Sequence, residues 1–173
     1  MSETTETVPG RAVGPAASLE LWFRVLRLYT DYTELLDEKR LTEWLGLFED
    51  DCRYTAISRE NADAGLPLAM MRCEGVPGLA DRVNAIENVS VYAPRTMRHL
   101  FSGLRAHHTA EPDLLSVEGS FIVAQSLSEE HTEVYASGRY RDLVRDDGAT
   151  LRFAEKTAVY DGALVKNAMV YPL

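Results

Sequence analysis

The sequence predicts an α+β domain in which helices come first and close one side of a long, curved antiparallel or mixed sheet, giving a cone. Three observations carry this. Apolar residues recur every three or four positions within 19–37, 40–48 and 77–88, then every second position after Pro94. Asp147-Gly148 and Asp161-Gly162 separate alternating runs, and glycine accepts the positive φ that tight hairpin turns require. The 173 residues are about one domain's length, and 46% of them are hydrophobic, so a sizeable core can be built.

The elements follow in order. Residues 1–17 mix Glu, Thr, Gly and Pro and read as a flexible tail, with a single domain over 18–173. Ser18 is a candidate N-cap for a helix over 19–37, with Glu20 favourable in its first turn. Trp22, Val25, Leu26, Tyr29, Tyr32 and Leu36 make one broad apolar face, which predicts packing on a sheet. A shorter helix is expected over 40–48 from Leu41, Trp44, Leu45 and Phe48, ended by Glu49, Asp50 and Asp51. Residues 52–58 read as a strand, 61–65 as a polar connection and 66–73 as a further extended run. Pro77 suits a first helical turn, and Leu79, Val83 and Ile86 make 77–88 amphipathic. Five strands are then expected at 96–106, 114–126, 132–144, 150–160 and 164–171.

Along 132–144, simple alternation puts Val134, Ala136, Gly138 and Tyr140 on one side. Glu133, Tyr135, Ser137, Arg139 and Arg141 then make an outer face that is charged and aromatic together. Such a mixture suits a protein interface, where Arg and Tyr are enriched, and also an ordinary solvated face.

Charge and cysteine content exclude several function classes. Twenty-seven acidic residues against 18 basic ones leave a net charge of −9, a poor match to nucleic acid. Two cysteines, Cys52 and Cys73, are too few for a disulfide framework and suit a reducing compartment. With neither a secretory signal pattern nor an apolar run of membrane-spanning length, the expectation is a soluble cytoplasmic protein without a membrane partner.

The four histidines form no recognisable ligand motif. His107 and His108 adjoin, would face opposite ways on a strand, and read as an exposed loop pair. A Rieske cluster needs two separated Cys and His pairs, and a mononuclear iron site two histidines and a carboxylate. Neither pattern is legible, so no metal and no cofactor is expected in this chain. One constellation could carry chemistry. Asp31 and Tyr32 on the first helix and His99 on a facing strand could move a proton on a small carbon acid inside the cone. The competing reading is a paired core histidine beside a surface aspartate.

Several segments together carry a resemblance. They are Tyr32-Thr33-Glu34-Leu35-Leu36-Asp37, Glu43-Trp44-Leu45, Asp50-Asp51-Cys52-Arg53-Tyr54, Leu79-Ala80-Asp81-Arg82-Val83, Arg98-His99-Leu100 and Gly138-Arg139-Tyr140-Arg141-Asp142. In order and spacing they resemble the small, or beta, subunits of aromatic-ring-hydroxylating dioxygenases over most of the chain. Ser58-Arg59-Glu60-Asn61, Gly65-Leu66-Pro67-Leu68 and the strand from Thr132 to Gly138 look like the branch acting on aromatic carboxylates. Within that branch the terephthalate type is similar, with salicylate, anthranilate and 2-halobenzoate oxygenases as neighbours. Ser102-Gly103 departs from the Ser-Asn of many members.

The resemblance implies a fold like that of nuclear transport factor 2. It also implies a partnership with a large alpha subunit, as a trimer within an alpha3beta3 hexamer. The Rieske [2Fe-2S] cluster and mononuclear Fe(II) would then belong to the alpha subunit, with electrons drawn from NAD(P)H. No catalytic residue carries over to the small subunit. The alternative is a stand-alone dehydratase or isomerase of the same fold, resembling scytalone dehydratase and using Asp31, Tyr32 and His99.

Overall fold

In a computed structural model describing residues 14–89, 94–127, 131–162 and 169–173, the first helix, α1, is Leu19–Asp37. Ser18 caps it from an extended backbone, its hydroxyl accepting the Leu21 N–H at 3.2 Å. Val25, Leu28, Tyr29, Tyr32, Leu35 and Leu36 form the buried stripe, so the apolar face is wider than expected by Leu28 and Leu35.

The second helix is shorter than its periodicity suggests. α2 is Leu41–Trp44, a 3-10 turn follows over Leu45–Leu47, and strand β1 already begins at Phe48 and runs to Ser58. Glu49, Asp50 and Asp51 therefore lie in the strand, where pairing is irregular between Phe48 and Arg53 and both Phe48 and Cys52 are buried.

Of the polar connection expected over 61–65, residues 61–63 instead end a short helix, α3 (Arg59–Asp63), capped by Ser58, which accepts the Asn61 N–H at 3.3 Å, and only 64–65 form a turn. The extended run expected over 66–73 contracts to strand β2, Met71–Glu74. Helix α4, Gly75–Asn84, begins two residues early and passes into a π-helical turn over Ala85–Val89.

Four long strands follow: β3 (Arg95–His108), β4 (Leu114–Leu127), β5 (Glu133–Asp146) and β6 (Leu151–Tyr160). Of the fifth expected strand, residues 164–168 lie outside the described residues and 169–171 are not extended in a sheet. Asp147-Gly148 makes the expected hairpin between β5 and β6, with Gly148 at φ 88°.

The described strands form one sheet in the order β2-β1-β6-β5-β4-β3. All neighbours are antiparallel except β1 and β6, which run parallel. Helix α1 packs on β3 and β6, and α4 on β1 and β2, so the helices close the concave side.

Two bulges reset side-chain phase. Val123 pairs with Ala136 but Ala124 with Val134, so Tyr135 is the extra residue in β5. The expected outer placement of Tyr135 is therefore overturned: Tyr135 is buried and Val134 exposed. A similar slip leaves Ala154 unpaired between Phe153 and Glu155 on β6. His107 and His108 are half-buried in the last two positions of β3 and not in a loop. Residues 14–17, assigned to the tail by composition, lie along that edge. His108 O accepts the Gly14 N–H at 2.8 Å, Pro15 O the His108 N–H at 2.9 Å, and Ala106 O the Ala17 N–H at 2.8 Å. Such a cover shields an edge strand from pairing with other chains.

Candidate functional site

The interior of the cone is built around a buried ion pair. Lys156 on β6 and Asp142 on β5 are both 0% exposed, with Nζ 2.9 Å from Asp142 Oδ2. Asp142 also accepts the Thr157 N–H at 2.8 Å and, on Oδ2, a short hydrogen bond from the Tyr29 hydroxyl. The ammonium sits 3.1 Å from the centroid of the Tyr140 ring, 4.8 Å from Tyr32 and 4.9 Å from Tyr29. Ring faces carry partial negative charge and so replace part of the lost hydration.

Burial lowers the lysine to about 8, against the opposing pull of Asp142. Burial likewise pushes the Tyr29, Tyr32 and Tyr140 hydroxyls well above their ordinary range. Phe153, Phe48, Trp44, Phe121 and Tyr54 complete the aromatic core, with Phe121 stacked on Tyr140 at 4.6 Å. The cone is packed with the chain's own side chains.

The three residues singled out for chemistry do not meet. His99 Nδ1 is 2.6 Å from Asp37 Oδ1, and its Nε2 faces Pro172 O at 3.2 Å. Asp37 also accepts the His99 backbone N–H at 3.1 and 3.2 Å. The Tyr32 hydroxyl donates to Leu173 O at 2.6 Å, and the Leu173 N–H donates to the Tyr54 hydroxyl at 2.8 Å. Asp31 stands elsewhere, half-buried in a surface cleft of about 390 Å³ with Arg24, Arg27, Leu28, Leu47 and residues 149–151.

Helical phase explains this, because six residues separate Asp31 from Asp37 and turn the helix by about 240° beyond one full revolution. The carboxylate that serves His99 is thus Asp37, which sequence reasoning missed. Its signal was only its place at the end of α1, opposite the β3 edge. Lys156 and Asp142 were also missed, since the bulge at Ala154 moves Lys156 inward against simple alternation.

The donor set of the described residues does not fit an iron centre. Cys52 and Cys73 are buried on β1 and β2, with burial pushing the Cys52 thiol up to about 11. His99 is committed to Asp37 and Pro172. Among the described residues no three His, Cys, Asp or Glu side chains converge.

The convex sheet face is the other feature of note. Leu100 and Ile122 are register neighbours on β3 and β4, and Val134 lies diagonally beside them on β5, all three exposed. Arg98, Arg139 and Arg141 line the same face.

Comparison with known proteins agrees with this architecture. The family described as ring hydroxylating beta subunit matches residues 32–167. The anthranilate 1,2-dioxygenase small subunit of Burkholderia cepacia is 33% identical over 90% of this chain and 96% of its own length. A terephthalate 1,2-dioxygenase terminal oxygenase beta subunit of a Comamonas species is 28% identical over 82% of this chain and 92% of its own. Among solved structures, the beta subunit of a candidate aromatic-ring-hydroxylating dioxygenase from Novosphingobium aromaticivorans superposes with a TM-score of 0.80 at 33% identity. That superposition covers 89% of this chain and 97% of the other. This chain belongs to the family of ring-hydroxylating dioxygenase beta subunits.

Proposed function

We propose that the chain is the non-catalytic small subunit of a cytoplasmic terminal oxygenase that dihydroxylates an aromatic carboxylate with O2 and electrons from NAD(P)H. The observation that carries the reading is similarity to an anthranilate dioxygenase small subunit along nearly the full length of both chains. The interior supports it, because Lys156 and the aromatic rings fill it and Asp31, Tyr32 and His99 do not converge on one point. The Rieske cluster and the mononuclear iron are assigned to the large alpha subunit, and the small subunit's task is assembly, as a trimer within an alpha3beta3 hexamer. Anthranilate is the first substrate to assay and terephthalate the second, following the 33% and 28% identities of their small subunits. The sequence alone favoured terephthalate.

The test is co-expression with the large subunit, followed by native mass, a visible spectrum and carboxylate-dependent oxygen uptake with NADH. A brown complex whose turnover is lost when the small subunit is omitted is the expected result. A large subunit that assembles and turns over equally well without this chain overturns the reading.

A further inference from the structure

The chain carries two exposed apolar patches at opposite ends of its sheet, and, once Arg59 and Arg72 are set aside as paired with Asp161 and Glu74, the charges flanking the two patches are mainly opposite in sign. One patch precedes β2. Leu66, Leu68 and Met70 are 45%, 64% and 51% exposed, yet their backbone is held in place. Asn61 O accepts the Leu66 N–H at 2.8 Å, the Asn61 side-chain amide donates to Leu68 O at 2.8 Å, and Ala56 O accepts the Met70 N–H at 2.9 Å. An ordered loop that keeps large apolar side chains in water has already lost the entropy that docking would otherwise remove. Beside it Glu60 and Asp63 are exposed, with no ion-pair partner among the described residues.

The second patch is the convex face of β3, β4 and β5, where Leu100, Ile122 and Val134 are 57%, 47% and 66% exposed. Its flanking charges are Arg139, Arg141 and Arg105, none with an ion-pair partner among the described residues, although Glu118 lies between Arg105 and Arg141 in register. On a chain of net charge −9, a basic and apolar face selects an acidic, apolar surface, and the loop before β2 supplies one.

We infer that these two surfaces bind each other between copies of this chain, with the Leu66–Leu68–Met70 loop of one copy seated on the Leu100–Ile122–Val134 face of the next. The contact is head-to-tail, so it leaves no patch unpaired only when the copies close into a ring. The inference deepens the subunit reading above and rests on it for the presence of several copies in one assembly.

The test uses two single-cysteine forms of the full chain, L68C and I122C, mixed under mild oxidation both alone and after co-purification with the large subunit. The native thiols are buried, and burial raises both, so they compete poorly. The mixture should yield a covalent dimer in at least about tenfold excess over either form alone. Placing R139E in the I122C copy should cut that yield about tenfold, and adding E60R and D63R to the L68C copy should restore it, which also shows that both variants fold. Equal cross-linking of L68C with itself, or none in the mixture, overturns the inference. A brown complex without the mixed cross-link would sink the surfaces and leave the subunit reading standing. A mixed cross-link in a chain that never captures a large subunit would do the reverse.

Discussion

Replacing Lys156 by methionine tests the account of the cone interior most directly. The substitution keeps an unbranched side chain of similar length but strands the Asp142 carboxylate, which is 0% exposed. Breaking a buried pair by removing one partner costs about 3–5 kcal/mol. Asp142 keeps two donors, the Tyr29 hydroxyl and the Thr157 N–H, which places the loss near the lower end. The ammonium–ring attraction is worth about 1–2 kcal/mol more, partly recovered by sulfur–aromatic contact. The net expectation is about 3 kcal/mol. With a urea m-value of about 2 kcal/mol/M, the midpoint of the full chain should fall by about 1.5 M at unchanged slope. Adding Asp142→Asn removes the stranded charge, so the double variant should be more stable than Lys156→Met alone. A midpoint shift under about 0.5 M, or a double variant weaker than the single one, would refute the reasoning.

The same core sets a pH profile. The folded lysine titrates near 8 and the unfolded one near 10.5, so between these values the unfolded chain binds more protons and stability rises with pH through this group. Above about pH 10 the sign reverses. Tyr29, Tyr32, Tyr54 and Tyr140 hold their protons when folded and lose them when unfolded, so Tm should fall steeply there. A scan of Tm from pH 7 to about 11 checks both limbs, and Lys156→Met should abolish only the rising one. His99→Ala should cost about 2–3 kcal/mol in urea melts, because it empties a buried site and removes the imidazole from Asp37, which keeps only the backbone N–H of residue 99 and the more distant Arg98, whereas Asp31→Asn should stay within about 0.5 kcal/mol. Turnover per assembled oxygenase should be unchanged in both, and a large loss in intact complex would return catalysis to this chain. Gly138→Ala places a Cβ 2.0 Å from Val159 O, a backbone atom with no room to yield. It should destabilise by about 3 kcal/mol or more, read as loss of soluble chain or a lower urea midpoint.

Legibility in the sequence divided along physical lines. Helix α1 was readable to its ends because the Ser18 cap and the three-to-four spacing of its apolar face are local signals. Strands β3 to β6 were readable within one or two residues, except that β3 runs on through His107 and His108. Alternation is likewise local. Phe48 misled because it fits the apolar spacing of a helix, while the sheet takes it as the first residue of β1. The contracted run before β2 has a different cause: its apolar residues face outward, and nothing within the fold rewards extending the strand.

The sequence by itself determined the α+β class, the succession of α1, α2, β1, β2, α4 and β3 to β6, the start of α1, the Asp147-Gly148 hairpin and the family resemblance. Each rests on residues a few positions apart or on the succession of short segments. Only the tertiary structure decided the parallel pairing of β1 with β6 and the inward turn of Lys156 onto Asp142. It also decided the choice of Asp37 over Asp31 as partner of His99, and the exposure of Val134 in place of Tyr135. In a sheet one unpaired residue inverts every side chain beyond it, and along a helix each residue turns the next by about 100°. Which groups meet is therefore set by partners far along the chain, through phases that local pattern does not record.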